Sequence, residues 1–108
     1  MMTHKTKTAK RRDIPPIHPG EVLAQDFMKP LGITEYRLAK ETSVPPRRFN
    51  LIVKGRQSIT ADTALRLGRY FGMEAQFWMN LQARYDLEVA EIELGKRLAR
   101  EVRPRAAA

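Results

Sequence analysis

The chain has 108 residues, which suits one domain with a single modest core and leaves no room for two full ones. Its 20 Lys+Arg against 12 Asp+Glu give a net charge of +8, so a polyanion such as nucleic acid is the leading partner class and an anionic membrane surface its rival. The absence of cysteine excludes disulfides, cysteine-ligated zinc and thiol nucleophiles, and the longest charge-free stretch, the nine residues 75–83, is far short of the roughly 20 that span a membrane.

The start of the chain lacks the apolar segment of a signal peptide, so a soluble, cytoplasmic protein is expected. The charge is unevenly placed. Residues 1–17 hold five basic groups against Asp13, and residues 95–108 hold five against Glu101. The stretch between is neutral on balance but polarised. Residues 37–56 carry Arg37, Lys40, Arg47, Arg48, Lys54 and Arg56 against Glu41 alone, while residues 84–94 carry Asp86, Glu88, Glu91 and Glu93 against Arg84. One face suits a polyanion and another a basic partner, although any single charge run also reads as solvated surface.

Residues 1–16 are too polar to bury themselves and read as a basic, mobile N-terminal arm. Pro19-Gly20-Glu21 opens a first helix with Leu23, Phe27 and Leu31 at four-residue spacing, ending near Lys29 before Pro30 and Gly32. Thr34 caps a short second helix with Tyr36, Leu38 and Ala39 as its apolar positions, interrupted at Thr42-Ser43. Pro45-Pro46 restarts the chain as a third helix over 45–54, closed by Gly55. Thr60 caps a fourth, with Ala64, Leu65, Leu67 and Phe71 facing inward and Gly72 at its end. A fifth and longest helix covers about 75–94. No window alternates with period two, so the fold is expected to be all-α, five helices over 17–94 with flexible basic arms at 1–16 and 95–108.

On the third helix Phe49, Ile52 and Val53 share a core-facing stripe, which turns Arg47, Asn50, Leu51 and Lys54 outward. Arg and Asn are the side chains suited to bidentate contacts with guanine and adenine in the major groove. Leu51 reads either as a contact to a thymine methyl or as an exposed apolar residue. Two short helices joined through Thr42-Ser43-Val44, with small Ala39 where they approach and Val44 plugging the turn, have the dimensions of a helix-turn-helix.

Residues 33–55, beginning Ile33-Thr34-Glu35-Tyr36-Arg37-Leu38-Ala39, resemble the helix-turn-helix of the phage-repressor-like, or XRE, superfamily. Ile17-His18-Pro19-Gly20-Glu21, residues 59–67 and the block Phe77-Trp78-Met79-Asn80-Leu81-Gln82-Ala83-Arg84-Tyr85-Asp86-Leu87 resemble, more specifically, the HigA family of addiction-module antitoxins. The resemblance implies a type II antitoxin that binds a HigB-type, RelE-like mRNA-cleaving toxin and represses its own operon as a homodimer on operator DNA. It also implies that 45–54 is the DNA-reading helix, with Arg47 and Asn50 on bases and Pro46 and Leu51 on the same face. Arg37, Arg48, Lys54 and Arg56 then lie near phosphates, as does Thr34 through its backbone N–H.

The last helix is apolar on two sides: Phe77, Trp78, Leu81, Tyr85, Val89 and Ile92 form one stripe, Met79, Ala83, Leu87, Ala90 and Leu94 another. One stripe serves its own domain and the other a second subunit, which makes Phe77, Trp78, Leu81, Tyr85 and Leu87 the candidate dimer contacts; a helix wrapped by its own tail is the plainer reading. A two-fold dimer reads a palindrome, with half-sites about 34 Å apart. The acidic run Asp86, Glu88, Glu91 and Glu93 is the candidate surface for a basic toxin. Catalysis is not expected, because His4 lies in the arm and His18 beside a helix-starting proline reads as a cap or packing residue. No metal, cofactor or small-molecule substrate is expected. The alternative to the antitoxin is a stand-alone XRE-type repressor with no toxin partner.

Overall fold

Side-chain caps set the helix starts in the computed structural model, which describes residues 14–106. His18 Nδ1 accepts the Gly20 N–H at 2.9 Å, Thr34 Oγ1 the Arg37 N–H at 3.1 Å and Thr60 Oγ1 the Thr63 N–H at 3.4 Å. Each satisfies one of the donors that a first helical turn leaves unpaired. The described residues are helical with no strand: α1 is the continuous run Pro19–Val22, Leu23–Met28 and Lys29–Leu31, followed by α2 Glu35–Thr42, α3 Pro46–Val53, α4 Ala61–Phe71, α5 Ala75–Leu94 and α6 Arg97–Glu101.

Helix α1 does not stop near Lys29. Its middle segment is π-helical, and the Lys29 N–H reaches back five residues to the Ala24 carbonyl. Proline has no N–H and its ring crowds the carbonyl four residues earlier; the wider turn loosens the ladder there, so the helix carries Pro30 and ends at Gly32, φ 65°.

Helices α2 and α3 meet at a tight turn. Ser43 takes the left-handed conformation at φ 56°, and the Val44 N–H then closes on the Ala39 carbonyl at 2.9 Å. The αL region strains most residues with a Cβ. Arg66 braces the turn by donating to the Thr42 carbonyl at 2.9 Å, satisfying an acceptor that the helix end leaves free. Val44 fills the space beneath, 4% exposed.

Leu23, Leu38, Phe49, Ile52, Ala64, Leu67 and Trp78 are fully buried and form one core where α1 to α5 converge. Phe27 is its aromatic hub, with ring centroids 4.9 Å from Trp78, 5.0 Å from Phe71 and 6.0 Å from Phe77. Three expected core positions lie outside. Leu31 follows the π-helical stretch, whose wider turn takes it off the Leu23 and Phe27 line, and it is 61% exposed. Leu65 lies across α4 from its buried stripe of Thr63, Ala64, Leu67 and Gly68, and Tyr36 faces out from α2.

The C-terminal tail was expected to be a flexible arm after five helices, yet α6 makes a sixth. Gly95 breaks α5, and an Arg97 to Glu101 ion pair at 3.1 Å spans the next turn. The arm at 1–16 falls almost wholly outside the described residues.

Candidate nucleic-acid interface

Helix α3 is positioned from beneath. Phe49 and Ile52 anchor it in the core, and Gly20 of α1 lies directly against the Ile52 carbonyl. Pro46 occupies its first turn, where the missing N–H has no intrahelical partner to lose, and Lys54 ends it. With one side fixed, the other presents Arg47 and Lys54 exposed, Asn50 and Leu51 half-buried, and Arg56 exposed just beyond. The α2 flank adds exposed Thr34 and Arg37. The nine candidate DNA residues therefore lie on α2, α3 and the turn after it.

They differ in how free their polar groups are. Arg47, Lys54 and Arg56 make no side-chain hydrogen bond or ion pair to another described residue, so their charges face solvent. Arg37 is tied to Glu41 at 3.1 Å, and Tyr70 donates its hydroxyl to the same carboxylate. The Tyr70 hydrogen bond, then that from Arg37, holds Glu41 below the ordinary carboxylate range, and the same contact raises the Tyr70 hydroxyl. Arg48 leans off the face: its guanidinium bonds Asp62 at 3.1 Å and Thr63 at 3.4 Å at the start of α4. Asp62 is lowered first by Arg66 and then by Arg48. Asn50 donates to Glu35 of α2 at 3.1 Å.

Glu35, Glu41, Asp62 and Tyr70 thus belong to this surface without having been candidates for it in the sequence, and Tyr36, expected in the core, joins them. Tyr36 is 67% exposed and lines an open notch with Glu35, Pro46, Arg47 and Asn50. The available signal was positional and concerned Tyr36 alone: it stands off the stripe of Leu38, Ala39 and Thr42, whereas Glu35, one turn before Leu38 and Ala39, falls on it.

The candidate dimer residues separate into two groups. Trp78 is 0% exposed and packs in its own core, so it is removed from any contact with a second subunit. Leu81 and Tyr85 are half-buried, Leu81 packed against the core and Tyr85 edge-on to His18 at 4.8 Å. Phe77 and Leu87 remain accessible at 37% and 65%. Of the acidic run, Asp86 accepts from Gln82 at 2.9 Å and Glu88 pairs with Arg84 at 3.3 Å, while Glu91 and Glu93 are exposed. His18 serves as both cap and packing residue.

Gln82 was also missed. It is 5% exposed, and its Oε1 accepts the Ile59 N–H at 2.8 Å, tying the loop before α4 to α5. No helix among the described residues is long and apolar enough to cross a membrane. Nor do three or more His, Asp or Glu side chains gather there as a metal site would need.

Two short helices braced at a tight turn, the second clamped on one side and carrying Arg and Asn on the other, define a helix-turn-helix domain of the phage-repressor type. No family model matches the chain. Its sequence is 52% identical over 83 residues to virulence-associated protein I of Dichelobacter nodosus, covering 77% of each chain. An addiction-module antidote protein of the HigA family from Coxiella burnetii superposes with a TM-score of 0.81 at 43% identity, covering 85% of this chain and all of that one. Antitoxin HigA of Pseudomonas aeruginosa, solved with the higBA promoter, superposes with a TM-score of 0.82 at 44% identity, covering 84% and 99%. The chain belongs to the HigA family of antitoxins.

Proposed function

We propose that this protein is the antitoxin of a type II module, which represses its own operon by binding operator DNA as a homodimer and neutralises a HigB/RelE-like mRNA-cleaving toxin by binding it. The observation that carries the reading is the outer face of α3, where Arg47 and Asn50 stand together near the exposed cations Lys54 and Arg56, which pair with no other described residue. It is supported by the promoter-bound state of the Pseudomonas relative. In this reading α3 enters the major groove, Arg47 and Asn50 contact base edges, and Lys54, Arg56 and Arg37 contact phosphates. The Thr34 backbone N–H at the start of α2 adds a phosphate contact, with Pro46 and Leu51 packing on the groove wall.

One α3 covers few base pairs, so a two-fold dimer supplies the second half-site, with Phe77 and Leu87 of α5 at the contact. The toxin meets the acidic end of α5, chiefly Glu91 and Glu93, since such a toxin is basic. The protein works in the cytoplasm, without cofactor or catalysis; the helical domain covers 17–94, with basic segments on either side.

Co-expression with the neighbouring small reading frame, affinity purification and a growth assay test the proposal. The expected result is a stable complex and relief of the neighbour's toxicity. Absence of any toxic partner, with the purified chain still shifting its promoter DNA, would leave a stand-alone repressor.

A further inference from the structure

Glu35 and Tyr36 of α2 and Pro46, Arg47 and Asn50 of α3 line one open notch on the exposed side of the helix pair. Within it Asn50 donates from Nδ2 to Glu35 Oε1 at 3.1 Å. An ionised carboxylate only accepts, whereas the two ends of an Asn amide are an acceptor and a donor of nearly identical shape. The contact therefore settles a two-fold choice. With its nitrogen toward Glu35 the amide is bonded; flipped, it would set two acceptors against each other.

Nδ2 carries two hydrogens, and with the one trans to Oδ1 given to Glu35 the other is left side by side with Oδ1. That acceptor and donor pair matches the major-groove edge of adenine, with its N6 donor and N7 acceptor. It mismatches guanine, whose O6 and N7 both accept. We propose that Glu35 is a positioning residue for operator specificity, locking the Asn50 amide in the orientation that reads adenine. The proposal rests on the DNA-binding reading above and adds to it the residue that decides what Asn50 reads.

A carboxylate has no attraction for DNA of its own. Set beside Arg47 it opposes phosphate binding, so Glu35 lowers affinity for unrelated DNA while sharpening the choice of base.

The test is fluorescence anisotropy with the DNA upstream of the chain's own reading frame, and with variants in which each A·T pair is replaced in turn by G·C. Glu35→Gln keeps the size of the side chain but can donate as well as accept, so it satisfies Asn50 in either orientation. Relative to wild type, E35Q is expected to lose about twofold of the A·T preference at one pair per half-site, the statistical cost of choosing between two amide orientations that the glutamine makes equivalent. It should also bind unrelated DNA more tightly. Asn50→Ala should lose preference at the same pair, and E35Q added to N50A should change nothing further there.

Unchanged discrimination by E35Q at every pair, or additive effects of E35Q and N50A, would overturn the role of Glu35 while leaving the repressor reading intact. Failure of the wild-type protein to bind its promoter DNA would overturn the repressor reading, and the proposal with it.

Discussion

Gly20 of α1 lies so close to Ile52 of α3 that a Cβ at Gly20 would stand 1.8 Å from the Ile52 carbonyl oxygen and 2.6 Å from its carbon. The obstacle is backbone, which cannot swing aside like the end of a side chain. Both residues are buried, so the contact sets the distance between the first helix and the DNA-reading one. Gly20→Ala must push the helices apart and is expected to cost at least about 2 kcal/mol. In a domain of this size that lowers the melting temperature by about 10 °C, read by thermal unfolding followed at 222 nm. A melting temperature equal to wild type would mean that the two helices do not pack as described.

The helices and their caps were legible in the sequence because their signals are local. Thr34, Thr60, Gly32, Gly55 and Gly72 mark helix ends by side-chain chemistry or backbone freedom, and the structure uses each for that purpose. The four-residue spacing of Leu23, Phe27 and Leu31 failed because it presumes an unbroken α-helical period, and the π turn before Pro30 changes that period. Gln82 and Glu35 were not legible for a different reason. Each matters through a partner far along the chain, Ile59 and Asn50 respectively, and a polarity pattern treats both as surface. Trp78 went to the dimer surface because periodicity shows that α5 has two apolar sides, without showing which one meets Phe27.

His18 joins the start of α1 to α5, and its proton is coupled to the fold. Burial against Tyr85 lowers its pKa, opposed by the nearby Asp86 carboxylate and by a hydrogen bond to the Gln57 backbone. Protonation also removes the Nδ1 lone pair that caps Gly20. The folded state therefore binds this proton less readily than the unfolded chain. Its contribution is complete above the unfolded pKa of about 6.5 and is lost as pH falls through the lower folded value, with a slope of at most about 1.4 kcal/mol per pH unit. His18→Asn retains a capping oxygen and does not titrate, so its urea midpoint should fall less than that of wild type between pH 7.5 and pH 5. Parallel decline in both proteins would place the pH sensitivity elsewhere.

Leu87 and Trp78 make opposite predictions for the proposed dimer. Leu87 is 65% exposed on α5, so Leu87→Asp should leave the monomer folded while placing a charge in the subunit contact. Sedimentation velocity should show a shift from dimer to monomer, with an unchanged circular dichroism spectrum. Trp78→Ala removes a fully buried ring and should cost about 3–5 kcal/mol of folding stability before any question of association arises. An L87D protein that still sediments as a dimer would move the interface off this face.

Arg47, Lys54 and Arg48 all carry positive charge on or beside α3, yet their surroundings separate their roles. Arg47 lines the notch with Asn50, so Arg47→Ala should lose about 1–3 kcal/mol of specific binding and relax one operator position, with a smaller effect on random DNA. Lys54 is exposed at the end of α3, and Lys54→Ala should weaken binding to every sequence and reduce the slope of log K against log salt by about one unit. Arg48 is drawn toward Asp62 and Thr63 of α4, so Arg48→Ala should change that slope by clearly less than Lys54→Ala. Salt titrations of operator and random DNA with the three variants give all three slopes. Equal slope changes for Lys54 and Arg48 would mean that Arg48 leaves Asp62 for a phosphate when DNA binds, so that its ion pair belongs to the free protein alone.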